Sequence, residues 1–449
     1  MRLWQTASTP VDAASLRFTV GDDPVLDLQL LPYDCLGSAA HAIVLAEAGL
    51  LASDERDAVL QALRQLSQQA RHGELEISVA QEDGHTAIEQ RLTQTVGDAG
   101  KKIHTGRSRN DQVLAALRLY VREQLLALVE HTGELVETLV ARAEQHRRDV
   151  MPGYTHTRQA MPSTVGLLLA ATAESLLADL QALLLPLRLA NRSPLGSASG
   201  YGVPLPLARE RVAALLGMDG IESNTLHVQN TRGKLEGACI SALHQMSITL
   251  ARLAADLIWG SSEALGFFSL PEAMTTGSSI MPQKRNPDVL ELVRAYPSSL
   301  AGRYMEVMGL LHGLPSGYHR DLQRTKQPLL TSVREMRDVL TVMTHGITHL
   351  EVHPEACAAQ LDPSIYATDH AYAHVRAGVP FREAYRRAKE SPERPLDPET
   401  VLAARQHSGA PGQAHTPLLA TLEDIREQCA HFHAGARHAR QLLEPASAE

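Results

Sequence analysis

The chain has 449 residues and a formal net charge of −9 with no basic block, which argues against nucleic acid or an anionic membrane as its partner. Hydrophobic residues make up 44% and aromatic residues only 4%, a balance that favours packed helices over sheet. Cys35, Cys239, Cys357 and Cys429 are far apart, lack metal-type spacing and read as reduced thiols of a soluble cytoplasmic protein.

The length predicts about three domains. Residues 1–106 read as an N-terminal helical domain whose first residues lack the apolar core of a signal peptide. Long helical patterns follow at about 110–148, 162–190, 233–266, 287–312 and 327–350. In the first, Val113, Leu117, Tyr120, Val121, Leu125, Leu128 and Val129 recur at three- and four-residue steps, the period of an amphipathic helix. Leu167–Ala173 and Ile248–Trp259 are apolar around more than one face, which predicts burial by several neighbours and association of bundles into an oligomer. The charge-free run from about Gln159 to Ala173 is too short to span a bilayer and contains Pro162. The expected object is all-α, with a central long-helix bundle over 107–358 and a C-terminal helical domain over 359–449.

Polar clusters fall in the breaks between these helices, where rigid scaffolds carry functional loops. Residues 104–111 read His-Thr-Gly-Arg-Ser-Arg-Asn-Asp and place Arg107, Arg109 and Asn110 just before a helix. Helix N-termini bind anions and Arg clamps carboxylates, although a salt-bridged cap built on Asp111 would use the same residues. Residues 275–287 read Thr-Thr-Gly-Ser-Ser-Ile-Met-Pro-Gln-Lys-Arg-Asn-Pro. This stretch combines Gly277, which frees the backbone, with two hydroxyls, a Lys cation and an Asn amide. Removal of a proton followed by capture of the resulting oxyanion needs such parts. Taken singly, each residue type suits an ordinary turn.

The ordered string Gly-Ser-Ser-x-Met-Pro-x-Lys-x-Asn-Pro resembles the signature of the fumarase/aspartase superfamily. The stretch 104–111 resembles the argininosuccinate lyase family within it. Further similarity lies at Asp34–His41, Glu82–Glu89, Ser193–Gly196, Tyr318–Lys326 and Gly378–Ala384, and so covers nearly all of residues 30–390. Three places depart from the family pattern. Thr157 and Arg158 follow His156 where the family usually has Leu-Gln, the 224–234 run differs, and no Gly-Gly-Arg-Phe follows Trp4.

The resemblance implies reversible elimination of argininosuccinate to arginine and fumarate by a homotetramer with a twenty-helix core and shared active sites. It implies Ser278 as base, Lys284 and Asn286 holding the developing charge, and His156, oriented by Glu291, as acid or proton relay. Family accounts differ on which of Ser278 and His156 donates and which accepts. Ser38, Arg109, Asn110 and Thr155 are implied to bind carboxylates, and Tyr318, Gln323 and Lys326 the other polar groups of the substrate. No metal and no organic cofactor is implied. A sister C–N lyase acting on another N-substituted aspartate, or a non-catalytic structural relative, are the alternatives.

Overall fold

The computed structural model describes residues 12–390 and 395–444. Ahead of the central bundle lie α1 (Ala13–Val20), α2 (Asp23–Glu47), α3 (Ser53–Arg71), α4 (Gly84–Val96) and the short α5 (Asp98–Lys102). Leu31, Leu45, Leu63, Ile88, Leu92 and Ile103 fill a core between them. The bundle is α6 (Arg109–Gln145), α7 (Val165–Ala190), α10 (Lys234–Gly260), α11 (Asp288–Leu311) and α12 (Lys326–Thr348). The short α8 (Arg209–Leu215) and α9 (Thr225–Asn230) lie in the connection between α7 and α10. After the bundle come α13 (Pro354–Ala359), α14 (Ala367–Arg376), α15 (Phe381–Glu390), α16 (Pro398–Ala403) and α17 (Leu418–Gln441).

The five long helices stand within a few residues of their expected positions because their apolar spacing leaves no other way to bury so much aliphatic surface. In the bundle α6 packs on α7 and α12, and α10 packs on α7, α11 and α12. By length and composition α7 could cross a membrane, but its Leu169, Leu176, Leu180, Leu183 and Leu187 are buried in the main core. That arrangement is the one a core helix makes.

Strand pairing departs from the sequence reading. Residues 151–158, which fall in the gap between the expected helices at 110–148 and 162–190, belong to a hairpin of β1 (Val150–Thr155) and β2 (Arg158–Thr164), paired from Val150↔Thr164 to Thr155↔Arg158. A second small pair joins β3 (Phe268–Ser269) to β4 (Glu351–Val352). The hairpin was hidden because its two-residue turn is His156-Thr157 rather than an Asn-Gly type. Within the expected C-terminal domain, α17 packs back on α6 and α7. Leu422, Ile425, Cys429, Phe432 and Ala436 form one buried stripe and join the main core. Three- and four-residue steps put these side chains on one helix face.

A cavity lies at each end of the bundle. At one end the N-termini of α6, α10 and α12 meet the chain that follows α11, around a cavity of about 380 Å³. At the other, the C-terminus of α10 meets the N-terminus of α11 around a second cavity of about 940 Å³. The hairpin leans on that second end through Tyr154, whose ring lies 4.5 Å from that of Trp259. Helix α10 has 27 residues, so the ends are separated by about 40 Å.

Candidate active site

The first cavity is organised by the start of α6. Ser108 caps the helix by accepting from the Asn110 amide at 3.3 Å, and Asp111 returns the bond to the Ser108 amide at 3.0 Å. The other Asp111 oxygen accepts from the amides of Gly196 at 3.1 Å and Ala198 at 2.8 Å. Burial pushes the Asp111 carboxyl up to about 6 despite these donors. Asp111 therefore ties the Gly-rich turn at 196–198 to the helix start. Gly106 turns the chain into that cap at φ +74, and an added Cβ would sit 2.5 Å from Leu207.

Charges around the cavity are already matched in part. Arg109 meets Glu82 at 2.9 Å, Asp83 at 3.2 Å and the Thr86 hydroxyl at 2.8 Å. Lys326 is almost fully buried between Asp23 at 2.7 Å and Asp27 at 2.6 Å. Burial works against the Lys326 ammonium, but Asp27 and Asp23 outweigh it and raise its pKa. Burial pushes Asp23 up to about 6, with Lys326 opposing. His85 contacts Asp34 at 2.5 Å. Burial disfavours its imidazolium, but Asp34 leads a group of carboxylates that hold its pKa above the ordinary value. His104, by contrast, is driven down to about 4 by burial and by Arg107 and Arg109, and is neutral near pH 7.

The structure brings Arg109, Asn110, Tyr318, Gln323 and Lys326 to this one cavity. Ser38 does not line it: this residue is completely buried on the inner side of α2, where its hydroxyl accepts from Arg107 at 2.9 Å. Gln323 is partly committed, since its amide donates to the carbonyls of Thr19 at 3.0 Å and Val20 at 3.1 Å. Sequence reasoning missed Asp23, Asp27 and Arg232. The first two stand four residues apart and share one face of α2, a spacing that could have flagged them. Arg232 was read only as part of a departure from the family pattern.

The remaining expected residues lie at the other end. Thr276 and Asn286 exchange backbone hydrogen bonds at 3.1 and 2.8 Å and close a loop over 277–285. Within it Ser278 accepts from the amides of Ile280 at 3.3 Å and Met281 at 3.1 Å. Lys284, Asn286 and Glu291 border the second cavity. Ile280 is 84% exposed at the loop tip, which leaves an apolar side chain in water. Gly277 has an ordinary φ and open space where a Cβ would stand, so nothing in one chain requires glycine there.

Thr155 and His156 are exposed at the hairpin tip. His156 and Thr157 hold φ values of 52° and 58°, as a two-residue hairpin turn requires, which is costly for the β-branched Thr157. The expected pairing of Glu291 with His156 is not made within the chain, where Glu291 lies 3.9 Å from Arg294. His156 borders neither cavity, because the rigid bundle holds hairpin, loop and charged cavity at separate positions.

Comparisons with known proteins agree with this architecture. A family profile described as lyase matches residues 10–302. An argininosuccinate lyase of Sorangium cellulosum (strain So ce56) is 44% identical over 414 residues, which is 92% of this chain and 96% of that protein. One of Stenotrophomonas maltophilia (strain K279a) is 42% identical over 411 residues, 91% of this chain and 95% of that protein. Among solved structures, an EDDS lyase in complex with formate has a TM-score of 0.77 at 24% identity, covering 97% of this chain and 94% of its own. A class II fumarase from Schistosoma mansoni has a TM-score of 0.70 at 16% identity, covering 87% and 94%. These two show likeness of fold. With the curated relatives aligned across both ends of the bundle, the chain belongs to the argininosuccinate lyase family.

Proposed function

We propose that the protein catalyses the reversible elimination of argininosuccinate to arginine and fumarate. The carrying observation is identity of 40–44% to argininosuccinate lyases over about nine-tenths of the chain. The reaction removes a weakly acidic proton from the carbon beside a carboxylate and protonates the departing guanidinium nitrogen. Ser278 takes the proton, and Lys284 and Asn286 hold the dianion that forms. His156, with Glu291 as its carboxylate partner, moves the second proton. Arg109 and Asn110 at the start of α6, with Thr155, bind substrate carboxylates. Tyr318, Gln323 and Lys326 hold the remaining polar groups.

The catalytic loop and hairpin lie about 40 Å from the charged cavity along α10, so one chain cannot assemble this set. We infer a homotetramer in which neighbouring subunits bring hairpin and loop to each cavity. Exposed Leu185, Leu189, Ile248, Leu292 and Met305 on α7, α10 and α11 support such a contact, since it would remove their apolar surface from water.

Purified protein incubated with argininosuccinate should generate fumarate absorbance. Turnover of another aspartate adduct but not of argininosuccinate would overturn the substrate. Site sharing is tested by mixing two inactive variants, Ser278→Ala and Lys326→Met, under conditions that exchange subunits. Recovered activity is expected, because some mixed sites draw both parts from intact chains; no recovery in proven mixed oligomers would count against it.

A further inference from the structure

The last turn of α12 and its cap carry His345 and His349, four residues apart. That spacing puts both side chains on one face of a helix, the arrangement in which a histidine pair can chelate a metal ion. Their ring centroids are 4.4 Å apart and the rings are tilted by 40°. Both side chains are exposed and free to turn. The His349 Nδ1 lies 2.9 Å from the His345 carbonyl oxygen. A carbonyl can only accept, so Nδ1 carries the proton and Nε2 of the neutral ring keeps its lone pair. Hydrogen bonds of this kind fix the ring and tautomer of metal-ligating histidines.

The two histidines border a groove of about 450 Å³ between α12 and α6. The α6 wall adds a third imidazole, His131, and the Glu134 carboxylate. No Lys or Arg lines the groove, so no cation in its wall repels another. Among the described residues no set of three or more His, Cys, Asp or Glu side chains is already gathered for a metal. The protein therefore offers two ligands, and water fills the remaining positions. The exposed apolar side chains that support subunit contact lie on α7, α10 and α11 and do not line this groove.

We propose that His345 and His349 chelate a divalent transition-metal ion of the imidazole-binding class, such as Zn²⁺, Ni²⁺ or Cu²⁺. A modest side-chain rotation brings Nε2 of His349 and one ring nitrogen of His345 to about 2.0–2.1 Å from one ion. Glu134, across the groove, offsets its charge. The ion clips the last turn of α12 to its cap, where a helix has carbonyls without intrahelical partners. The strand β4 follows directly and pairs with β3, which leads into the 277–285 loop. The clip thus adds rigidity beside that loop. It takes no part in the elimination and stands independently of the proposed reaction.

The test is calorimetric titration of the untagged full-length protein with nickel chloride, with magnesium chloride as the oxygen-preferring control. Wild type should bind one Ni²⁺ per chain in its tightest phase, and Mg²⁺ should not compete. His345→Gln and His349→Gln should each weaken that phase by about tenfold or more, at least the loss that a change outside the ligand shell causes. His431→Gln, at an exposed histidine of α17, should leave it unchanged. Nickel should also raise the urea midpoint of wild type but of neither ligand variant, because an ion bound only by the folded chain stabilises it. Both variants alter exposed side chains, so metal-free midpoints equal to wild type report an intact fold. Absence of stoichiometric nickel binding, equal affinity in wild type and both ligand variants, competition by Mg²⁺, or an equal loss in His431→Gln would overturn the chelate.

Discussion

At the cavity end of the bundle, most charged side chains are wholly or partly buried and matched by neighbours: Lys326 by Asp23 and Asp27, Arg109 by Glu82 and Asp83, His85 by Asp34. At the hairpin end, His156 and Lys284 are exposed and Ser278 bonds only to amides of its own loop. Burial makes the first end rigid, since removing one partner strands a charge in low dielectric. Exposure leaves the second end tolerant, because water solvates whatever a substitution leaves behind. Residues expected to bind substrate thus mostly sit where folding energy and binding are entangled, and residues expected to do the chemistry sit where they are separable.

The largest expected effect tests that separation. Ser278→Ala and Lys284→Met should each lower the rate of fumarate formation by about 10²–10⁴-fold while shifting the urea midpoint by no more than about 0.5 kcal/mol of stability. A comparable loss of stability would break the contrast. Lys326→Met at the other end leaves Asp23 and Asp27 facing each other, so it should cost about 3–5 kcal/mol in denaturant unfolding as well as activity. A variant as stable as wild type would show that the cavity end is no more rigid than the loop.

Asp23 sharpens the comparison through pH. Its carboxyl is pushed up to about 6 in the folded chain, against about 3.9 unfolded. The folded state therefore holds this proton more tightly, and stability falls as pH rises from about 4 to about 6, by about 1–3 kcal/mol. Asp23→Asn should flatten that decline. Asp111 is also pushed up to about 6 and contributes equally to both proteins, so the difference between them isolates Asp23. Identical urea midpoints against pH would remove Asp23 from the account. The smallest effect belongs to the hairpin: Thr157→Asn, better suited to φ 58°, should raise stability by about 1 kcal/mol or less, read as a small rise in Tm. A fall would mean the turn is not strained.

Most of the helical scaffold was legible in the chain. The repeats of Leu, Val and Ala in α6, α7, α10, α11 and α12 specify faces that have only each other to pack against. The hairpin was less legible, because Pro152, Gly153 and Pro162 punctuate it as if it were a loop. The stripe of α17 is present in the chain but follows a Pro- and Gly-rich stretch that obscures where the helix begins. Within the site, ordered motifs pointed to Arg109, Ser278 and Lys326. They could not show that Ser38 turns inward to Arg107, or that Arg232 stands buried without a counter-ion.

Local patterning, helix periods and loop strings were enough to define a helical lyase, because those properties are carried by neighbours in the chain. Which groups share a cavity, which charges are already matched and which end of a helix of about 40 Å each motif occupies were decided by packing. Electrostatic interactions fall off with distance through space, whatever the separation along the chain, and only the folded bundle sets those distances.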